Sequence, residues 1–186
     1  MEKITAYGQI PEFTPDGNYQ VDMEPKYLMG WIREEEEDMG LLLNPDFQRG
    51  HVWTESQQIA YLEYILRGGK SGRDLYFNNP SWRHRVPPGA YNEYVCVDGL
   101  QRITAWQRYF NGEIPVFGSY VHEFTDRFPC GRTMHIHINE LPTKEAVLQW
   151  YLDMNTGGTI HSEEEIARVR NLLEQEQSKE EYYLPD

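Results

Sequence analysis

The chain reads as an α+β domain built from a short mixed sheet with helices packed against it. Three observations predict this. Strand-like runs are brief, as in Tyr94-Val95-Cys96-Val97 and Met134-His135-Ile136-His137-Ile138. Helix-like stretches with apolar residues at three- and four-residue spacing fall between them. Turn residues punctuate nearly every transition. At 186 residues the chain suits one domain carrying an arm.

Residues 1–23 contain Pro, Gly, Asp and Asn and are expected as an extended arm, residues 24–176 as the domain, and residues 177–186 as a polar tail. A helix is predicted from Pro25 to Met39, ended by Gly40. Leu41-Leu42-Leu43 is predicted as a short strand that stops at Asn44-Pro45. Thr54-Glu55-Ser56-Gln57 is a capping box, with Gln57 able to reach back to the Thr54 amide. Ile59, Leu62 and Leu66 follow at helical spacing, and Gly68-Gly69 closes that helix.

A loop-rich basic segment surrounds a short strand at Asp74–Phe77. Next come the strand at 94–97 and a helix from Leu100 to Phe110, with Ile103, Trp106 and Phe110 on its apolar stripe. Strands are predicted at Ile114–Phe117 and Met134–Ile138. The second alternates, so one face is apolar and the other carries His135 and His137. A helix at 144–154 leads to Asn155-Thr156-Gly157-Gly158. A second capping box, Ser162 to Glu165, opens the last helix.

Composition narrows the function. The net charge of -13 argues against broad non-specific binding of nucleic acid, which needs local positive charge. The cations Arg67, Lys70, Arg73, Arg83 and Arg85 nevertheless cluster, with Asp74 the only acid between positions 67 and 85. The acidic runs at 34–38 and 163–165 read as solvated helix faces. Two cysteines, Cys96 and Cys130, make no disulfide framework and fit a reducing compartment. No run approaches the ~20 apolar residues of a membrane span. Met1–Ile10 lacks a secretory core. The expectation is a cytoplasmic protein, of a cell or of a phage within one. The Walker-type Gly-x-x-x-x-Gly-Lys-Ser/Thr, Gly-x-Ser-x-Gly and CxxC motifs are absent from the sequence. His135 and His137 have no Cys or carboxylate at ligand spacing, so no zinc site is expected there.

The chemistry concentrates at Val97-Asp98-Gly99-Leu100-Gln101-Arg102, where a strand meets a helix. A helix N-terminus presents unpaired N–H groups and positive potential, which suits a phosphate. Gly99 allows close backbone approach, and Arg102 can hold a phosphate through two hydrogen bonds. Asp98 can orient Arg102, hold a metal or position a water. The same residues also fit a plain helix cap beside a surface arginine. A second Gln-Arg pair, Gln48-Arg49, precedes the helix at 54 and is placed to converge on the same ligand, or else belongs to a loop held by Phe47 and Trp53. Asn155 with Gly157 and Gly158 suits a further backbone approach, or a C-cap and linker.

Taken in order, Pro45-x-Phe47-Gln48-Arg49-x-x-x-Trp53, Asp98-Gly99-Leu100-Gln101-Arg102 and Asn155-Thr156-Gly157-Gly158 resemble the N-terminal domain of GmrSD-type restriction endonucleases, in the ParB/sulfiredoxin superfamily. The resemblance covers about residues 24–175. It implies a ParB-like fold and a nucleotide site, in a domain that binds or hydrolyses nucleoside triphosphates and gates a nuclease acting on phage DNA. By that resemblance Asp98, Gly99, Gln101 and Arg102 form the phosphate turn. Gln48, Arg49 and Asn155 complete the pocket. Asp98 and Arg102 are the catalytic candidates, with Asp98 also the candidate ligand of Mg2+. Leu100 departs from the family's usual glutamine. It also stands where sulfiredoxin has its catalytic cysteine, which excludes that reductase chemistry. The nuclease half lies C-terminal in the restriction enzymes, so either a domain working with a separate partner or a stand-alone, phage-borne version is expected. Two other readings use the same residues: a DNA-binding or phosphodiester-cleaving enzyme, or a non-catalytic interaction protein with an acidic surface.

Overall fold

A computed structural model describes residues 3–10, 12–15, 17–48, 50–83, 85–155 and 163–182. In chain order the elements are β1 (Tyr19–Met23), α1 (Pro25–Asp38), α2 (Glu55–Leu66), β2 (Asp74–Asn78), β3 (Val95–Asp98), α3 (Leu100–Phe110), β4 (Met134–Asn139), α4 (Lys144–Asn155) and α5 (Glu163–Tyr182). The four strands form one mixed sheet in the order β1-β4-β2-β3. The β4–β2 pair is parallel, and the two outer pairs are antiparallel. The fold is α+β, as expected.

Alternation along the strands divides the interior in two. Leu75, Phe77, Cys96, Met134, Ile136 and Ile138 point to one face and pack with Leu28, Ile32, Leu62, Ile103 and Trp106 of α1–α3. Val95 and Val97 point to the other and pack with Phe47 and with Trp150, Tyr151, Val169 and Leu173 of α4 and α5. The sheet is therefore the middle layer of three. The β4 alternation predicted from sequence is realised, with both histidines on the α4 side.

Helix starts follow local chemistry. Thr54 accepts from the Gln57 amide at 3.3 Å while the Gln57 side chain accepts from the Thr54 amide at 2.8 Å. Gly40, at φ +71°, follows the last turn of α1 in the left-handed conformation that glycine tolerates best. The Ser162 capping box lies outside the described residues.

Two expected strands are not strands. Leu41–Leu43 contributes one parallel bridge, Leu42 to Val95, because Gly40 and Asn44-Pro45 leave no length for a ladder. Residues 114–117 lead into a tight turn closed between Val116 and Ser119, although Ile114 and Val116 are buried. Conversely, β1 lies within the stretch expected as an arm and pairs with Met134–Ile138 of β4. The arm before it is also tied down: Thr14 donates to Asp153 of α4, and Asn139 donates to the Pro15 carbonyl at 3.0 Å. Helix α5 runs past position 176 to Tyr182.

Candidate functional site

β3 ends at Asp98, and α3 begins two residues later. Gly99 makes the corner at φ +139°, and a Cβ there would lie 2.6 Å from Leu75 Cδ2. The corner thus needs glycine twice, for its backbone angle and for its closeness to β2. The first turn of α3 has no side-chain cap and no acidic residue. No side chain caps its leading N–H groups, of which the Leu100 amide faces the Cys96 sulfur.

Arg102, in that first turn, forms an ion pair with Asp98. Its side chain is 17% exposed and that of Asp98 39%. Burial opposes the guanidinium charge, but the Asp98 charge and hydrogen bond outweigh it, so the pKa of Arg102 is raised. Arg102 is therefore a fixed, mostly buried cation behind an uncapped helix N-terminus, neutralised by an acid that is itself half in solvent. Two groups line the floor. The phenol of Tyr61 is pushed up to about 12 by burial, against the pull of Arg102, and donates to the Gly72 carbonyl at 3.0 Å. The thiol of Cys96 is pushed up by burial and then by the Asp98 charge, which makes it a packing group rather than a nucleophile.

The two glutamines meet at this turn, yet their amides hold protein backbone. Gln48 donates to the Cys96 and Val97 carbonyls at the end of β3. Gln101 donates to the Gly50 carbonyl at 2.8 Å and accepts from the Val52 and Trp53 amides at 3.0 and 3.1 Å. Together they fasten the loop 44–53 against the β3–α3 corner from both sides. α4 and α5 secure the far side of that loop: Lys144 reaches Asp46 at 2.6 Å, and Arg168 donates to the Phe47 carbonyl at 2.8 Å. Phe47 is buried. Trp53 is only half-buried and packs on Tyr61 with ring centroids 5.3 Å apart. Asn155, at the end of α4, donates to the Tyr151 carbonyl at 2.6 Å, a bond internal to its own helix. Arg49, Gly157 and Gly158 lie outside the described residues.

Beside the turn is a polar strip that sequence reasoning missed. In register, Tyr76 of β2 stands opposite Asp98, and His137 stands opposite Tyr76. His137 lies 2.9 Å from Asp74 and stacks on Tyr76 at 4.7 Å, while His135 lies 2.6 Å from Asp22. The histidine alternation was visible, but both carboxylates arrive from other strands. Among the described residues no three His, Cys, Asp or Glu side chains gather to hold a metal ion. The basic run at 67–85 is largely consumed within the protein. Arg67 faces Glu63, Arg73 donates to the Gly69 and Gly131 carbonyls, and Arg83 pairs with Glu140.

The class of the molecule is then clear: an α+β domain whose most chemically equipped feature is an arginine-backed, glycine-cornered strand-to-helix turn. Residues 30–184 match the family described as GmrSD restriction endonuclease, N-terminal domain. The chain belongs to that family. No curated protein and no solved structure matches it. Among the described residues no helix is long and apolar enough to cross a membrane.

Proposed function

We propose that this domain binds the phosphate groups of a nucleoside triphosphate at the β3–α3 turn, on a ParB-like scaffold, as a regulatory part of DNA restriction. The observation that carries the reading is Arg102, a buried cation held by Asp98 at the uncapped start of α3. A phosphate arriving there exchanges one anion for another at Arg102 and gains the helix N–H groups as well. Asp98, released from Arg102, is then free to turn towards a water or a metal.

The residues fit a Mg2+ ion that arrives with the nucleotide rather than a resident metal. Asp98 is a single carboxylate, and Mg2+ is commonly held by one or two carboxylates together with phosphate oxygens and waters. Such an ion would neutralise phosphate charge. Orientation would come from the chain: Gln48 and Gln101 hold the corner rigid, and Arg102 fixes the phosphate position. Hydrolysis of the bound nucleotide is the finer form of this proposal, with Asp98 positioning the attacking water. Family membership supports the link to restriction and a nuclease acting alongside the domain. A broad grip on DNA finds less support, because most cations between positions 67 and 85 already have partners within the chain.

A thermal-shift panel with ATP, GTP, CTP and UTP, with and without Mg2+, tests the reading. At a ligand concentration 100 times Kd, mass action stabilises the folded state by about 2.7 kcal/mol. One triphosphate is expected to raise the melting temperature of the wild type and leave Arg102→Ala unmoved. Equal stabilisation of both chains would remove Arg102 from the site.

A further inference from the structure

A half-open pocket among the described residues lies away from the turn. A cavity of about 590 Å³ opens at the opposite end of α3, roughly 16 Å along an 11-residue helix at 1.5 Å per residue. Its walls are Met29 of α1, Tyr109 and Phe110 of α3, and Phe117, Phe124 and Phe128 of the loop before β4. That volume lies in the range of about 300–1,000 Å³ typical of small-molecule sites. Nothing in the phosphate-turn reading uses it.

Three features make this more than a packing gap. First, its aromatic rings are not all buried: Phe117 and Phe124 are 47% and 41% exposed at its mouth. Second, Phe117 is held in a conformation that bulky side chains avoid, φ +49°, the only such non-glycine residue among those described. The protein maintains it through the Val116–Ser119 turn, a 2.8 Å bond from the Phe117 amide to Glu63, and the Arg67 guanidinium 5.1 Å from the ring centre. Backbone strain of this kind persists only where the surroundings enforce it, and it gathers at ligand sites. Third, Lys26 and Arg127 line the cavity and Arg33 lines the adjoining groove, all without an ion-pair partner among the described residues. Arg108, in the same groove, is by contrast satisfied by Glu55 and Glu113. Asp126 and Glu36 are also present, so the local balance is mildly positive on a chain of net charge -13.

We infer that this cavity is a second ligand site, separate from the β3–α3 turn, which takes the base of a nucleotide against its exposed rings Phe117 and Phe124 with the phosphate on Lys26 and Arg127. Exposed aromatic rings flanked by cations suit a flat, anionic aromatic group, because every nucleotide offers a base face to stack and a phosphate to pair. The nucleotide is either free or an unpaired residue of a nucleic-acid strand, since the recognition chemistry is the same.

Calorimetric titration of the full chain tests this with AMP, GMP, CMP and TMP, the matching nucleosides, and a short oligothymidylate. The variants are Phe124→Ala, Lys26→Gln with Arg127→Gln, and Arg102→Ala. One or more monophosphates are expected to bind more tightly than the bare nucleoside and to keep their affinity in Arg102→Ala. Phe124→Ala should weaken binding roughly tenfold, in line with the loss of one stacking ring. The double charge variant should weaken it tenfold or more. Preference for the oligonucleotide over monophosphates assigns the site to a strand, and the reverse assigns it to the free nucleotide. Phe124 is half-exposed, so its truncation leaves the core intact. No binding by any probe, or binding that survives both cavity variants and falls with Arg102→Ala, overturns the inference and leaves the turn reading standing.

Discussion

Replacing Gln101 with alanine separates two roles that one side chain can play at this turn. If Gln101 is the fastener seen here, its removal frees three contacts at once: the Gly50 carbonyl and the Val52 and Trp53 amides. A neutral hydrogen bond contributes about 0.5–1.5 kcal/mol net, and these lie near the surface, where water replaces part of the loss. The lower half of that range over three bonds is about 2 kcal/mol. Alanine is at least as good a helix former as glutamine, so helix propensity does not add to the cost. A domain of this size shifts by roughly 2–4 °C per kcal/mol, so the ligand-free variant should melt about 4–8 °C below wild type. Circular-dichroism melting without nucleotide reads this directly. Limited proteolysis should in parallel show faster cleavage within residues 44–53. A ligand-free variant that melts within a degree of wild type, with the loop equally protected, refutes the fastening role and returns Gln101 to the set of direct phosphate contacts.

Gly99→Ala should cost about 2–6 kcal/mol, combining an unfavourable backbone angle with overpacking against Leu75. Urea unfolding checks it, and an alanine variant as stable as wild type contradicts the corner geometry. The hydrogen bond from Arg83 holds the Glu140 carboxyl below its ordinary value of 4.5. The folded state then binds the Glu140 proton less readily than the unfolded chain does. The stabilisation is complete above about pH 4.5 and is lost as pH falls through the lower folded value. The stability gap between wild type and Glu140→Gln should narrow as the pH falls below about 4.5, and a constant gap would disprove the coupling. A disulfide thiol reagent should modify exposed Cys130 in the native protein and reach buried Cys96 only after denaturation. Rapid modification of both thiols in the native state would show that the floor of the turn is open.

The features legible in the sequence are those made by neighbours along the chain. The Thr54–Gln57 capping box, the helix from Leu100 to Phe110 and the alternation of β4 all depend on residues a few positions apart, so local pattern was enough to find them. The Asp98–Arg102 turn was legible for the same reason, since its glycine, acid and arginine span five residues. What the chain order could not reveal is which distant groups arrive beside these. β1 was hidden because a five-residue edge strand has no meaning until β4, more than a hundred residues later, supplies its partner. Leu41–Leu43 is apolar enough for a strand, but only Leu42 finds a neighbour to pair with. Asp22 and Asp74 reach the histidines solely through strand register. Gln48 and Gln101 show the limit most clearly. A glutamine amide serves a phosphate or a backbone carbonyl equally well, and the choice rests on which one stands within 3 Å. That was decided by the packing of the loop 44–53 onto the β3–α3 corner, a contact about fifty residues away in sequence.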